Sequence, residues 1–209
     1  MRQIKYIVLH HSATDVYGDG SVLADAIMSN QRRKWIKDFP NYVCDYHYMV
    51  GPTGKIFKGQ PEEFPGWHAT NYVVNLESIG VCFLGNFEKS RMQVAQFDAG
   101  VKLLKDIVKR YDIKSENVVR HKDVISDETG RRNSTLCPGK YFPYEEMLNT
   151  VFAGTKGTEN DYLYKDVIQK LNELGIIVGD GNSFRPKDPM TREEGFLIAY
   201  RILKLLKAF

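Results

Sequence analysis

IKYIVLHHSAT, residues 4–14, begins as an apolar run and ends on two adjacent histidines. Residues 4–10 read as a buried strand, because the run is apolar at nearly every position. Neighbouring side chains on a strand point to opposite faces, so His10 and His11 cannot serve the same purpose. A buried strand that delivers a histidine at its end implies a sheet with chemistry collected along one edge.

A helical pattern follows at 22–37. DYHYMVGPTGKIFKG (45–59) reads as a hairpin, with YHYMV and KIFKG as strands and GPTG as the turn. SIGVCFLGNF (78–87) is apolar on both faces and reads as a central strand. Residues 92–111 carry Val94, Phe97, Val101, Leu104, Ile107, Val108 and Tyr111 at helical spacing. NVVRH (117–121) is a short strand that again ends in a histidine, and a helix is expected to start near Pro143. The pattern is α/β: a central mixed sheet flanked by helices.

Composition shifts at AGTKGTEN (153–160), which reads as a linker. Beyond it the expectation is a small helical module over 161–209. It comprises a helix at 162–174, a glycine-rich turn, and a second helix opened by the capping box Thr191-Arg-Glu-Glu194. Residues 1–152 then form the larger domain.

The chain has 209 residues, 43% hydrophobic and 26% charged, with a net charge of +3, which fits a soluble globular protein. So mild a charge gives no argument for a nucleic-acid partner. No apolar stretch approaches the ~20 residues of a membrane span, and residues 1–11 read as a first strand, not a signal peptide. Cys44, Cys82 and Cys137 are odd in number and widely spaced, which suits reduced thiols made in a cytoplasm.

Imidazole nitrogen and thiolate sulfur are good zinc ligands, and three protein ligands with one open position make a catalytic site. The His10/His11 pair, His121 and Cys137 all lie at ends of expected elements. Residue type alone leaves a packed histidine, or a buried cysteine acting as a small hydrophobe, equally open.

The flanking residues add to this. LHHSAT, YHYMVGPTGKIFKG, WHATNYVVNLESIGVCFLGNF, VVRHKDV and CPGKYFPYEEML occur in this order over roughly residues 4–150. Together they resemble the zinc-dependent N-acetylmuramoyl-L-alanine amidases of the phage-lysozyme and peptidoglycan-recognition-protein superfamily. The resemblance implies one zinc per chain, held by His10, His121 and Cys137, with His11 at a variable position on the far face. It implies cleavage of the amide between the lactyl group of N-acetylmuramic acid and L-alanine of the stem peptide. Members that only bind peptidoglycan have commonly lost the cysteine, so Cys137 points to catalysis. Tyr46 is matched to a residue with its phenol near the zinc. Its pKa near 10 makes it a poor base and a better hydrogen-bond donor. Thr135 matches the threonine of the recognition-type amidases, where phage-lysozyme-type enzymes often carry lysine.

The same resemblance puts His68 at the substrate groove, with a surface histidine beside Trp67 as the alternative. Trp67, Asn71 and Tyr72 are candidates for sugar or peptide contacts. Asn86 is a candidate for the stem peptide or simply ends its strand. His47 alternates with Tyr46 and is expected to face away from the metal. Residues 164–203 resemble one copy of an S-layer homology motif, a type of module that attaches proteins to secondary cell-wall polymers; packing on the amidase domain or homo-oligomerisation is the alternative. These readings combine into an endolysin, made in the cytoplasm and reaching the wall through a pore formed by another protein. A bacterial autolysin and a non-catalytic peptidoglycan receptor of the same fold are the alternatives. A zinc peptidase is disfavoured because no HExxH helix is present.

Overall fold

The structure is a computed structural model that describes residues 2–153, 170–177 and 192–206. It divides into two compact units, Met1–Ala153 and Gly154–Phe209. The first is a five-stranded mixed sheet with helices. Its elements are β1 (Tyr6–His11), α1 (Ser21–Trp35), β2 (Tyr48–Val50), β3 (Ile56–Lys58), α2 (Tyr72–Glu77), β4 (Ser78–Phe83), α3 (Val94–Tyr111), β5 (Val118–Arg120) and α4 (Tyr144–Phe152).

The strand order is β3-β2-β4-β1-β5. β2, β4, β1 and β5 run parallel to their neighbours, and only the β2–β3 hairpin is antiparallel. Parallel strands are covered on both faces, which is why β4 is buried at all six positions and reads as an unbroken apolar run. In such sheets ligands gather beyond the carboxyl ends of the strands. Here those ends carry His10 and His11 of β1 and, one residue beyond β5, His121.

α3 packs the amphipathic face read from its spacing. Phe97, Val101, Leu104 and Ile107 are buried. Gly100 lets this helix approach the sheet closely: a Cβ there would lie 2.4 Å from Cε1 of Phe83. Gln96 is buried on the same helix, and its amide nitrogen donates to the carbonyls of Val50 and Leu84 at the ends of two strands.

Several boundaries differ from the sequence reading, and one element was not expected. β2 begins at Tyr48 rather than Tyr46, yet the pairing pattern continues: the His47 amide donates to the Gly80 carbonyl and the Gln60 amide to that of Tyr46. α1 ends at Trp35 rather than residue 37. The short helix α2 was not expected; it is nucleated by Asn71, whose side chain accepts from the Val74 amide. In the second unit, α5 (Arg192–Leu205) is described, and the Arg201 guanidinium donates to the Ile176 carbonyl at 3.1 Å. The linker from 154, most of the 162–174 helix, the glycine-rich turn from 178 and Thr191 of the capping box lie outside the described residues.

Candidate metal centre

β1 separates its two terminal histidines as strand alternation requires. His11 turns to one face, where its Nδ1 accepts from the Phe87 amide and its ring stacks on Phe87. His10 turns to the other and is 1% exposed. β5 pairs in parallel with β1, Arg120 opposite Leu9, so the next residue, His121, meets His10 with ring centroids 4.6 Å apart. The loop over 122–136 then returns the chain to the same edge. The Lys122 amide donates to the Cys137 carbonyl, and the His11 amide points at Cys137 Sγ at 3.4 Å.

One ligand atom each from His10, His121 and Cys137 lies within 4.8 Å of the others. His10 Nδ1 is 3.8 Å from Cys137 Sγ. A tetrahedral ion with bonds of about 2.0–2.3 Å spaces its ligands roughly 3.3–3.8 Å apart, so the set needs little adjustment to close on one. Burial keeps both imidazoles neutral, the form that ligates: His10 is held well below the ordinary histidine range and His121 at about 4. Burial also pushes the Cys137 thiol up to about 11, against the opposing pull of the His11 amide. A thiolate in this position therefore calls for a cation. The most telling atom is His121 Nε2. Among the described residues it is the one buried side-chain nitrogen or oxygen with no hydrogen-bond partner. An orphan of this kind costs about 1–3 kcal/mol unless something satisfies it. Two imidazole nitrogens and one sulfur, with one position open, suit zinc.

Tyr46 packs its ring against His10, centroids 5.1 Å apart. Burial, followed by the neighbouring Cys82 and Cys137 sulfurs, holds its phenol well above the ordinary tyrosine value, so it keeps its proton and has a hydrogen to donate. Thr135 Oγ1 accepts from the Cys137 amide at 3.1 Å, which leaves the hydroxyl proton available to another acceptor.

The substrate-facing candidates fare differently. His68 is buried, not a surface histidine beside Trp67. It is 6% exposed, with Nδ1 3.1 Å from His10 Nε2 and Nε2 3.2 Å from Ser78 Oγ. Its ring lies on the backbone of Gly80. Asn71 is likewise committed to structure: besides capping α2, its amide donates to the Ile125 carbonyl and to Asp127 Oδ1. Trp67 is half-buried, stacked on exposed Tyr72 and packed against Trp35 and Phe39. Asn86 closes a turn by accepting from the Glu88 amide and also lines a groove of about 190 Å³ with Asp15, Phe87 and Arg91. His47 faces Gly80 and Phe64, away from the three-ligand cluster: its Nδ1 accepts from the Gly80 amide and its Nε2 lies 3.1 Å from the Phe64 carbonyl.

Sequence reasoning missed Ser78, Gly80 and Asp127. Asp127 ties the 122–136 loop to the start of α2 by accepting from the Tyr72 amide, while its own amide donates to the Thr70 carbonyl. A glycine inside the apolar run SIGVCF was the available signal for Gly80, since strand glycines mark close approach.

Residues 1–140 match the family described as N-acetylmuramoyl-L-alanine amidase, and residues 159–194 match the S-layer homology domain. Peptidoglycan-recognition protein SC2 of Drosophila melanogaster is 30% identical over 137 residues, 65% of this chain and 68% of that protein. N-acetylmuramoyl-L-alanine amidase AmiD of Escherichia coli (strain K12) is 28% identical over 69% of this chain; the match spans 52% of AmiD. Among solved structures, the endolysin N-acetylmuramoyl-L-alanine amidase LysCS from Clostridium intestinale aligns with a TM-score of 0.54 and 27% identity, over 70% of this chain and 82% of that one.

Proposed function

The chain belongs to the N-acetylmuramoyl-L-alanine amidase family, and from that premise we propose that it is a zinc-dependent hydrolase of the amide joining N-acetylmuramic acid to L-alanine in peptidoglycan. The observation that carries the proposal is the convergence of one ligand atom each from His10, His121 and Cys137 within 4.8 Å, with His121 Nε2 buried and unpartnered. Relatives that are pure recognition proteins would support binding without hydrolysis, but a complete N, N, S ligand set favours catalysis.

Bound by His10, His121 and Cys137, zinc would supply a Lewis acid for the scissile carbonyl and bring water deprotonation near neutral pH. The chain's own contribution is to hold charge and protons in place. The His11 amide stabilises the Cys137 thiolate. Tyr46, kept protonated by its surroundings, offers its hydroxyl to oxygen charge that develops at the carbonyl. Thr135, pinned through the Cys137 amide, offers a second hydroxyl on the side of the sulfur.

The wider role proposed is that of an endolysin, supported by the likeness to LysCS at 27% identity. Residues 1–152 would be the catalytic domain. The C-terminal module would bind a secondary cell-wall polymer or a second copy of the chain, supported by its S-layer homology match. Digestion of purified sacculi by the zinc-loaded full chain, followed by mass spectrometry, tests the reaction. Release of stem peptides with a free L-alanine amine is expected. Intact lactyl–alanine bonds in sacculi that nevertheless retain the protein would replace hydrolysis with recognition.

A further inference from the structure

Behind His10 lies a hydrogen-bonded chain with no part in the chemistry above. His10 Nε2 meets His68 Nδ1 at 3.1 Å, and His68 Nε2 meets Ser78 Oγ at 3.2 Å. All three residues are buried, at 1%, 6% and 0% exposure. Resting on the reading of the site as a metal centre, we infer that His68 is a positioning residue that fixes the tautomer and ring orientation of His10, with Ser78 fixing His68 in turn.

The argument is one of proton bookkeeping. His10 Nδ1 is the atom that faces Cys137 Sγ. A neutral imidazole that presents its Nδ1 lone pair to an ion carries its hydrogen on Nε2. That hydrogen is buried and needs an acceptor, and the atom in reach is His68 Nδ1. His68, accepting through Nδ1, then carries its own hydrogen on Nε2, where Ser78 Oγ accepts it. Both ring N–H donors in the chain are satisfied in this arrangement. Reversing it would put a hydrogen on His10 Nδ1, aimed at the ligand position. The ring of His68 is held flat for this purpose by Gly80: a Cβ there would stand 2.5–2.8 Å from His68 Cδ2, Cγ and Nε2. A ligand histidine whose second nitrogen is held in this way binds metal about 10–100-fold more tightly than one left unsupported.

The test uses metal-stripped full-length protein titrated with Zn²⁺ against a chromophoric chelator, with Co²⁺ spectra as a second readout. His68→Leu keeps bulk and removes the acceptor; Zn²⁺ affinity should fall about 10–100-fold and the Co²⁺ spectrum should change. His68→Asn places a carbonyl oxygen close to where Nδ1 sat; affinity and spectrum should return most of the way to those of the unmodified protein. Ser78→Ala should give a smaller loss in the same direction. Unchanged affinity in His68→Leu, or a His68→Asn variant as weak as His68→Leu, overturns the positioning role. If His68→Leu does not fold, the comparison of His68→Asn with Ser78→Ala decides by the same criterion: strong binding in the first and reduced binding in the second. His10→Ala and Cys137→Ala are the controls. Undiminished binding in those two would instead remove the metal-centre reading on which the inference rests.

Discussion

Adding one methyl group at Gly80 should loosen metal binding without touching a ligand. Gly80 sits in the middle of β4, hydrogen-bonded through both its amide and its carbonyl to His47. Its backbone needs no special conformation; what it lacks is room. The new Cβ would lie 2.5 Å from His68 Cδ2, whereas ordinary carbon contacts begin near 3.5 Å, so the ring must retreat by roughly 1 Å. Forcing a methylene-sized group into a packed interior costs about 1–3 kcal/mol. The retreat also stretches the 3.1 Å bond to His10 toward the limit at which a hydrogen bond ceases to be one. Gly80→Ala should therefore lower the stability of the metal-free protein by about 1–3 kcal/mol and weaken Zn²⁺ binding about 10–100-fold. Denaturant melts and chelator competition measure the two effects separately. A His68→Ala background isolates the cause: with the ring gone, the added methyl should cost almost nothing, and the difference between the two backgrounds is the coupling energy. An equal cost in both backgrounds, or unchanged stability and affinity in Gly80→Ala alone, would refute the steric account.

Cys137→Ala should lose the larger part of Zn²⁺ binding, while His11→Ala should keep it at some cost in stability, because the Phe87 amide loses its acceptor; metal content after dialysis separates the two. Tyr46→Phe removes one hydroxyl beside His10, and kcat on soluble muropeptides should fall by about 10²-fold with zinc still bound. An unchanged kcat would reduce Tyr46 to packing. Acid should destabilise the metal-free protein before its carboxylates titrate. His47 is held neutral down to about 3, by burial and then by the Arg2 guanidinium, and His10 and His68 are also held well below their ordinary value by burial. The unfolded chain takes up protons near pH 6.5 that the folded one refuses, so stability is complete above that pH and falls as pH drops toward the folded values. The slope is about 1.4 kcal/mol per pH unit for each proton, and a flat stability profile between pH 7 and 5 would contradict the burial argument.

Strand alternation alone separated His10 from His11, and their opposite placements follow from it. The central place of β4 was legible because burial on both faces demands an unbroken apolar run. His121 and Cys137 were legible from their motifs; residue type alone does not distinguish them from a packed histidine and a buried thiol. The position of His68 was not legible. WHAT places it beside a tryptophan, and nothing local records that its ring folds onto a glycine in the strand that follows α2. The capping role of Asn71 was missed for a related reason: a polar residue before an apolar stretch is as good a helix cap as a ligand contact, and α2 is only six residues, too short for periodicity to announce it. Where the loop over 122–136 docks depends on Asp127 meeting the amide of Tyr72, a partner far away in sequence.

The five strands are complete once the chain has reached Arg120, and Cys137 comes later. Synthesis runs from the N-terminus, so the sheet edge bearing His10 and His121 can assemble before the sulfur is available. A two-histidine site is then closed into a three-ligand one by the return of a single loop. The sulfur is thus the last of the three candidate ligands along the chain. The order of residues along the polypeptide puts the third candidate ligand after every strand of the sheet that carries the first.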